Sequence, residues 1–316
     1  MVDMCVPCNG VDTVYAPHRT VTNLEDCWFY HTMELPGYGL ISGDWDLRQG
    51  MTEYLGQVPL KGKRVLELGT ASGCICFHME QQGAEVVAYD LAEEFADDRD
   101  IVPFHGMDWR NHGARGHSFM RKLNNSWWLS HAAFQSQARV VYGSVYQIPK
   151  EIGMFDVGLF GCILLHLRDP FRALANAATH VRDTMIVTET LNSNLFPQLP
   201  PEPDWESQWS SSPWRRIIQR LCFRMIRGPL QRRFQQITNY VEKIRAFQQD
   251  YQALPVQYFY PNYRKRYPTE TWWYITPQLM CEFLGVLGFP NARVTYHTQL
   301  FKGHPAPMYT VVAHRE

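Results

Sequence analysis

Apolar runs of strand length alternate with amphipathic stretches of helical length through the middle of the chain. The segments with strand character are 64–68, 85–90, 139–142, 155–160 and 185–189. The helical segments between them are 74–82 and 170–182. This alternation predicts an α/β fold, with a mostly parallel sheet and helices on both of its faces.

The C-terminal part has a different pattern. It predicts a helix over 277–288 and two strands over 291–301 and 307–314. Two strands joined by a short connection pair antiparallel. We therefore expect a seven-stranded sheet that this pair completes.

Three stretches interrupt the alternation. Residues 1–60 lack sustained periodicity and are expected to form an N-terminal lid. The stretch from 90 to 139 is longer than one crossover requires and contains a predicted helix over 119–137. A third stretch begins with several prolines and continues as a basic segment, which predicts a helical cap. The expected organisation is a lid (1–60), an α/β core that binds a cofactor (61–190), a cap or substrate insertion (191–270), and a C-terminal helix with a strand pair (271–316).

Composition and charge narrow the class of protein. The chain has 316 residues, of which 45% are hydrophobic and 19% charged, and this excludes a disordered protein. Its formal charge of −1 provides no overall attraction to nucleic acid or to an anionic membrane. No run approaches the roughly 20 apolar residues of a membrane span.

The eight cysteines are sparse and irregularly spaced, as in a reduced protein, and they predict a cytoplasmic location. Cys5 and Cys8 have the spacing of zinc ligands but no second pair follows them, so we expect no metal site.

The glycine-rich turn after the strand at 64–68 is the most informative motif. The segment Glu67-Leu68-Gly69-Thr70-Ala71-Ser72-Gly73 leads into a helix, and Asp90 ends the next strand. Such a turn lets the backbone approach a ligand closely, and an acid about 20 residues further on accepts ribose hydroxyls. The motifs that bind pyrophosphate are absent, which favours a nucleoside without phosphates. The alternative is a glycine turn that serves only helix packing.

Residues 65–73 resemble the first motif of the class I S-adenosylmethionine-dependent methyltransferases, and residues 142–146 and 155–170 resemble later segments of that family. The segments similar to the branch containing the tRNA wobble-uridine carboxymethyltransferases are 164–170, 187–191 and 272–276. The resemblance implies a Rossmann-like fold, S-adenosylmethionine as cofactor, and methyl transfer as the reaction.

The resemblance also implies individual cofactor contacts. The implied contacts are Glu67, Gly69, Thr70 and Gly73 for methionine and ribose, Asp90 and Leu91 for ribose and adenine, Ser144 and Val145 for adenine, and Phe160 and Gly161 for the sulfonium. The chain departs from the tRNA-modifying branch because it lacks that branch's N-terminal domain. It also has Leu165 where the branch has a tyrosine associated with a carboxylated cofactor. Ordinary S-adenosylmethionine is therefore expected.

Two residues at the ends of predicted strands are candidate bases. His166 and Glu189 follow strands that end beside the expected methyl group, where a base removes the proton of a hydroxyl acceptor. The alternative is structural, with His166 bonded to its own loop and Glu189 capping a backbone amide.

Aromatic residues cluster where an acceptor pocket is expected. The candidate substrate-binding residues are His31, Trp127, Trp273 and Tyr274. Trp127 and Trp128 are adjacent on a predicted helix, so one of them is expected in the core. For His31, packing within the N-terminal segment is an equal alternative.

The segment 214–233 contains arginines at helical spacing among apolar residues, and no acid occurs from 207 to 241. It is either a solvated helix face or a surface for a phosphate, an RNA backbone, a membrane or an acidic partner.

These observations predict a methyltransferase that acts on O or N of a small, aromatic or anionic metabolite, for example one of secondary metabolism. The alternatives are a tRNA-modifying methyl or carboxymethyl transferase and a non-catalytic regulatory protein that binds the cofactor.

Overall fold

A computed structural model describes residues 14–107, 109–191 and 255–316. The basic segment 214–233 and most of the expected cap lie outside these residues, as do Cys5 and Cys8. Among the described residues, no helix has both the length and the apolar character needed to cross a membrane.

Twelve strands form in the described ranges. They are β1 (Met33–Leu35), β2 (Gly39–Ile41), β3 (Trp45–Asp46), β4 (Arg64–Leu68), β5 (Glu85–Asp90), β6 (Arg139–Tyr142), β7 (Phe155–Gly161), β8 (Val181–Thr190), β9 (Gln257–Phe259), β10 (Trp273–Ile275), β11 (Asn291–Phe301) and β12 (His304–His314). Eight of them form the central sheet, in the order β3-β11-β12-β8-β7-β4-β5-β6. From β8 to β6 the neighbouring strands are parallel, while β12, β11 and β3 join antiparallel. The Rossmann-like α/β fold is thus confirmed.

The sheet has one strand more than the predicted seven. The additional strand is β3, whose two residues pair with Leu300 and Phe301 of β11. A strand of two residues is too short to show a period of two, so the hydrophobic pattern gave no sign of it. The hairpin β1–β2 precedes it, and the N-terminal segment is therefore more regular than expected.

Five α-helices lie in the part of the chain that the structure describes. They are α1 (Met51–Tyr54), α2 (Cys74–Gln81), α3 (Trp109–Phe134), α4 (Pro170–Ala178) and α5 (Pro277–Val286). Two of them begin at side-chain caps followed by proline: Asp169 accepts the amide of Arg172 at 3.0 Å, and Thr276 accepts that of Leu279 at 3.3 Å. Proline lacks a backbone N–H, and at the first helical position this costs nothing because an N–H there has no partner within the helix.

Helix boundaries differ from the predictions in two places. Helix α3 begins ten residues before the expected position at residue 119. The glycines at 113 and 116 lower local helix propensity and hid this first part. Helix α4 ends at Ala178 instead of about Arg182 because Val181 already pairs with Phe155 in the sheet.

Two large apolar clusters are packed around the sheet. One contains Tyr54, Phe77 and Trp127, and the other contains Phe155 and Phe160. Each strand of the sheet can contribute to both clusters, because the side chains of successive residues point to opposite faces of the sheet. This packing fixes the carboxyl ends of β4, β5, β6 and β7 relative to one another.

Candidate functional site

The turn between β4 and α2 requires glycine at two positions. Gly69 and Gly73 both have φ of +84°, a conformation that side chains disfavour. A Cβ at Gly69 would lie 2.5 Å from Cγ2 of Ile163. A Cβ at Gly73 would lie 2.3 Å from Cε2 of Phe77 and 2.9 Å from Cδ1 of Trp127. Gly69 therefore keeps the turn open beside Ile163, while Gly73 lets it pack on aromatic rings.

Asp90, at the end of β5, ties this turn to the neighbouring strand. Its Oδ2 accepts the amide of Ala71 at 2.7 Å, and its Oδ1 accepts the amide of Leu91 at 2.8 Å. Burial raises the pKa of the carboxyl to about 6, and the two amide bonds partly oppose that rise. Above this pH the carboxylate is charged, and each oxygen still has a lone pair for another donor.

A cavity of about 260 Å³ lies at the carboxyl ends of β4, β5, β6 and β7. The predicted residues that line it are Gly69, Asp90, Leu91, Ser144, Val145, Gly161 and His166. They come from five separate parts of the chain, and the parallel sheet brings them to one edge. This edge is the place where ligands bind in open α/β sheets.

Four predicted cofactor residues are not in the cavity lining. Phe160 is fully buried in the core, and Gly73 contacts Phe77 and Trp127 as described above. Glu67 and Thr70 are buried behind the turn, and neither oxygen of Glu67 nor the Thr70 hydroxyl has a hydrogen-bond partner among the described residues. Burial raises the pKa of Glu67 to about 8.

His166 has one ring nitrogen committed to the backbone. Its Nδ1 bonds the carbonyl oxygen of Glu270, and because a carbonyl only accepts, Nδ1 carries the proton. Burial lowers the pKa of the ring, so it is neutral near pH 7. In this tautomer Nε2 has a free lone pair, which is the form a general base requires.

Glu189 lies behind the loop that carries His166. Its Oε1 accepts the amide of Leu164 at 2.8 Å, in the 3-10 turn Leu164–His166. Burial raises the pKa of this carboxyl to about 8. Glu189 is not in the cavity lining, and its contact is the backbone cap that the sequence left open as the alternative.

None of the predicted substrate residues lines the cavity. The His31 amide donates to Oγ of Ser72 at 3.3 Å, and burial lowers the pKa of its ring to about 4. Trp127 is in the core, as is Trp128, although only one of the two was expected there. Trp273 donates its indole N–H to the carbonyl of Arg168 at 3.0 Å. Tyr274 is buried in β10, with its ring 5.9 Å from that of Tyr258.

Aromatic residues from other segments line the cavity instead. The rings of Trp28 and Phe119 are 4.7 Å apart, and those of Trp28 and Tyr30 are 5.6 Å apart. We call Trp28, Tyr30 and Phe119 the aromatic wall. Tyr30 accepts the indole N–H of Trp45 at 3.1 Å, which holds its hydroxyl in place. The run at 28–30 was visible in the sequence, but nothing local predicted that it meets α3.

An ion pair closes the rim beside this wall. Arg99 bonds the carboxylate of Glu270, and both residues line the cavity. The neighbouring Asp100 accepts the Tyr146 hydroxyl and, at 2.7 Å, the amide of Arg168. Arg99 and Glu270 are 171 positions apart, and no sequence signal linked them.

A family described as a methyltransferase domain matches residues 46–238, which is more than half of the chain. The chain belongs to this methyltransferase domain family. With the Rossmann-like sheet, it is a class I S-adenosylmethionine-dependent methyltransferase. The match does not reach the aromatic residues Trp28 and Tyr30 or the strands β11 and β12.

Several solved structures resemble this methyltransferase at low sequence identity. Magnesium protoporphyrin IX methyltransferase from Synechocystis, with bound S-adenosylhomocysteine (SAH), is 10% identical, with 85% of this chain and 82% of that one covered and a TM-score of 0.42. The N-terminal domain of EvdMO1 with SAH is 14% identical, with 92% of each chain covered and a TM-score of 0.41. A 1,6-didemethyltoxoflavin-N1-methyltransferase from Burkholderia thailandensis is 14% identical, with coverage of 85% and 77% and a TM-score of 0.41. No curated protein matches the chain.

Proposed function

We propose that this methyltransferase moves the methyl group of S-adenosylmethionine to an oxygen or nitrogen of a small aromatic or anionic metabolite. The observation that carries the proposal is that one cavity is lined both by Asp90, at the end expected to hold the nucleoside, and by His166, a neutral base candidate. A donor and an acceptor held in one cavity meet without a second diffusive encounter.

The residues at the strand ends fit the cofactor. Asp90 has lone pairs left for ribose hydroxyls after accepting two backbone amides. Gly69 leaves a cradle that a Cβ would fill. Ser144 and Val145, beyond β6, line the same cavity and would border the adenine. Glu67, Thr70, Gly73 and Phe160 would act indirectly, by shaping the turn and the end of β7.

When bound, S-adenosylmethionine supplies a methyl group already activated on a sulfonium. The protein then has to align the acceptor and exclude water. The aromatic wall and the side chains of Ile163 and Leu167 give the cavity apolar surface that keeps water out. His166 would accept the proton of a hydroxyl acceptor at Nε2.

Glu189 takes a positioning role in this proposal instead of a catalytic one. Its carboxylate holds the amide of Leu164, and so fixes the turn on which His166 sits. It would thus influence the base through the backbone.

The expected lid and cap enter the proposal as well. Trp28 and Tyr30 belong to the segment 1–60 and line the cavity, which supports a lid role for that segment. Glu270, at the end of the expected cap 191–270, contributes to the rim.

The free thiols Cys27, Cys74, Cys76, Cys162 and Cys281 support a reducing, cytoplasmic location.

A tRNA-modifying activity is the second candidate. It is favoured by the similarity of residues 164–170 to the tRNA wobble-uridine branch and by the arginine-rich segment 214–233. The balanced charge of the chain opposes it, because RNA binding draws on phosphate contacts.

Calorimetric titration with SAH tests the cofactor site. Micromolar binding by the wild type that is lost in Asp90→Ala is the expected result, and absence of binding by the wild type contradicts the proposal. A gel shift with bulk tRNA at physiological salt then tests the acceptor class. Tight, salt-sensitive tRNA binding would replace the small-molecule acceptor with the tRNA candidate.

A further inference from the structure

The charge of the cavity restricts what the acceptor is. Among the described residues that line it, three are acidic, Asp90, Asp100 and Glu270, and Arg99 is the one lysine or arginine. The guanidinium of Arg99 is already bonded to the carboxylate of Glu270. An anionic acceptor would therefore find no unpaired lysine or arginine among the described residues of the cavity, and with Asp90 assigned to the ribose it would face the carboxylate of Asp100, which disfavours it.

The same excess of carboxylates argues against an aliphatic amine. Carboxylates near an amine stabilise its protonated form. A protonated nitrogen has no lone pair, so it cannot attack a methyl group. The charge pattern thus favours an uncharged acceptor, and the choice of a hydroxyl group rests on the base described below.

The aromatic wall specifies the rest of the molecule. Trp28, Tyr30 and Phe119 form a row of rings along one side of the cavity, with Arg99 positioned 5.5 Å over the ring of Phe119. Offset or edge contacts between aromatic rings add to the free energy of burying their apolar area. A planar aromatic acceptor makes such contacts, whereas a flexible polar one does not.

The base is matched to a phenol. A phenolic hydroxyl has a pKa of about 10. This value is far closer to the pKa of an imidazole than the pKa of an aliphatic alcohol is. Because Nδ1 of His166 donates to the carbonyl of Glu270, the neutral ring has its lone pair on Nε2. General base catalysis is efficient when the pKa values of the base and of the acceptor hydroxyl differ by only a few units.

We propose that the acceptor is an uncharged phenol whose ring lies along the aromatic wall and whose hydroxyl faces His166. The phenolic oxygen forms a bond to the methyl carbon as the carbon–sulfur bond of the donor breaks, with its electron pair left on sulfur. The phenolic proton passes to Nε2 of His166 and from there to water. This inference rests on the proposed function and selects one acceptor class within it.

The test separates the acceptor from the cofactor site. SAH binding is measured first by calorimetry, and the SAH-saturated protein is then titrated with phenol, 2-naphthol, benzoate and 2-naphthoate. We expect at least one phenol to bind about tenfold or more tighter than the carboxylate of the same ring size. With S-adenosylmethionine, mass spectrometry should detect the methyl ether of that phenol.

A charge variant makes the test specific. Glu270→Gln keeps the backbone carbonyl that holds His166 but frees Arg99, so binding of the carboxylate should strengthen about tenfold relative to binding of the phenol of the same ring size. Glu282→Gln, an exposed acid on α5 away from the cavity, is the control and should change neither.

The outcomes distinguish the two proposals. Failure to bind SAH contradicts the proposed function itself. SAH binding together with equal or tighter binding of the carboxylates, or with no binding of either phenol, overturns the phenol inference alone. Methylation of 2-naphthylamine in preference to 2-naphthol also overturns it.

Discussion

Asp90→Asn is the sharpest perturbation of the cofactor site because it changes one atom and removes one charge. The carboxylate accepts two backbone amides, at 2.7 Å from Ala71 and 2.8 Å from Leu91. An asparagine has one acceptor oxygen, so its NH₂ group is forced against one of the two amides. A hydrogen bond to a charged group contributes roughly 1.5–3 kcal/mol. Loss of one such bond from the binding turn should weaken SAH binding about ten- to hundred-fold.

Calorimetry at pH 8 measures this effect, because Asp90 is charged there given its pKa of about 6. Asp156→Asn is the matched control. Its Oδ2 accepts the amide of Arg64 at 2.8 Å, at the amino ends of β7 and β4, so the same kind of bond is lost at the opposite edge of the sheet. An Asp90→Asn variant that binds SAH within about twofold of the wild type refutes the reasoning. Equal weakening by Asp156→Asn refutes it too, since that result indicates a general loss of stability.

Three further predictions concern the base, the turn and the buried carboxyls. His166→Ala should lower kcat about 100-fold or more with SAH affinity nearly intact. In the wild type, kcat should fall on the acid side only below pH 6.5, because burial lowers the pKa of this ring. An unchanged kcat in the variant removes His166 from the mechanism. Gly69→Ala should abolish SAH binding because its Cβ would meet Ile163. Gly62→Ala, with φ of +74° and nothing within 4 Å of its Cβ, should lower the free energy of unfolding by only about 1 kcal/mol in chemical denaturation. Equal losses of unfolding free energy in the two variants would exclude the steric cause. Burial raises the pKa of Glu67 to about 8 from its ordinary value of 4.5, which stabilises the folded protein in acid, so Tm should fall as pH rises from 4.5 through 8. Glu67→Gln should flatten that fall, and an unaltered slope would assign it to other groups.

The cofactor half of the site was predictable because its determinants are local. The strand from Arg64, the turn at Gly69 and the acid at Asp90 lie within one β-α-β unit, where pattern and spacing define the geometry. The structure places Gly69 and Asp90 at one cavity, and their roles in holding the cofactor stay predictions.

The acceptor half was not predictable, since its contacts join distant segments. Glu270 meets Arg99 across 171 positions, and Trp28 meets Phe119 of α3. Trp127 shows the converse problem. Its aromatic side chain suggested a place in the acceptor pocket, but the helix face on which it lies is turned to the core. Propensity and spacing do not specify which face of a long helix packs inward when both faces contain apolar residues.

The placement of β12 has a consequence for how the protein is made. This strand, His304–His314, lies between β11 and β8 in the interior of the sheet, although it follows the other described strands in sequence. Until residue 314 has left the ribosome, β8 has an open edge with unpaired backbone groups beside buried residues such as Val187. The nascent chain therefore exposes an aggregation-prone edge from the time β8 emerges until β12 has followed it, and a premature stop codon between the two strands leaves this edge unpaired.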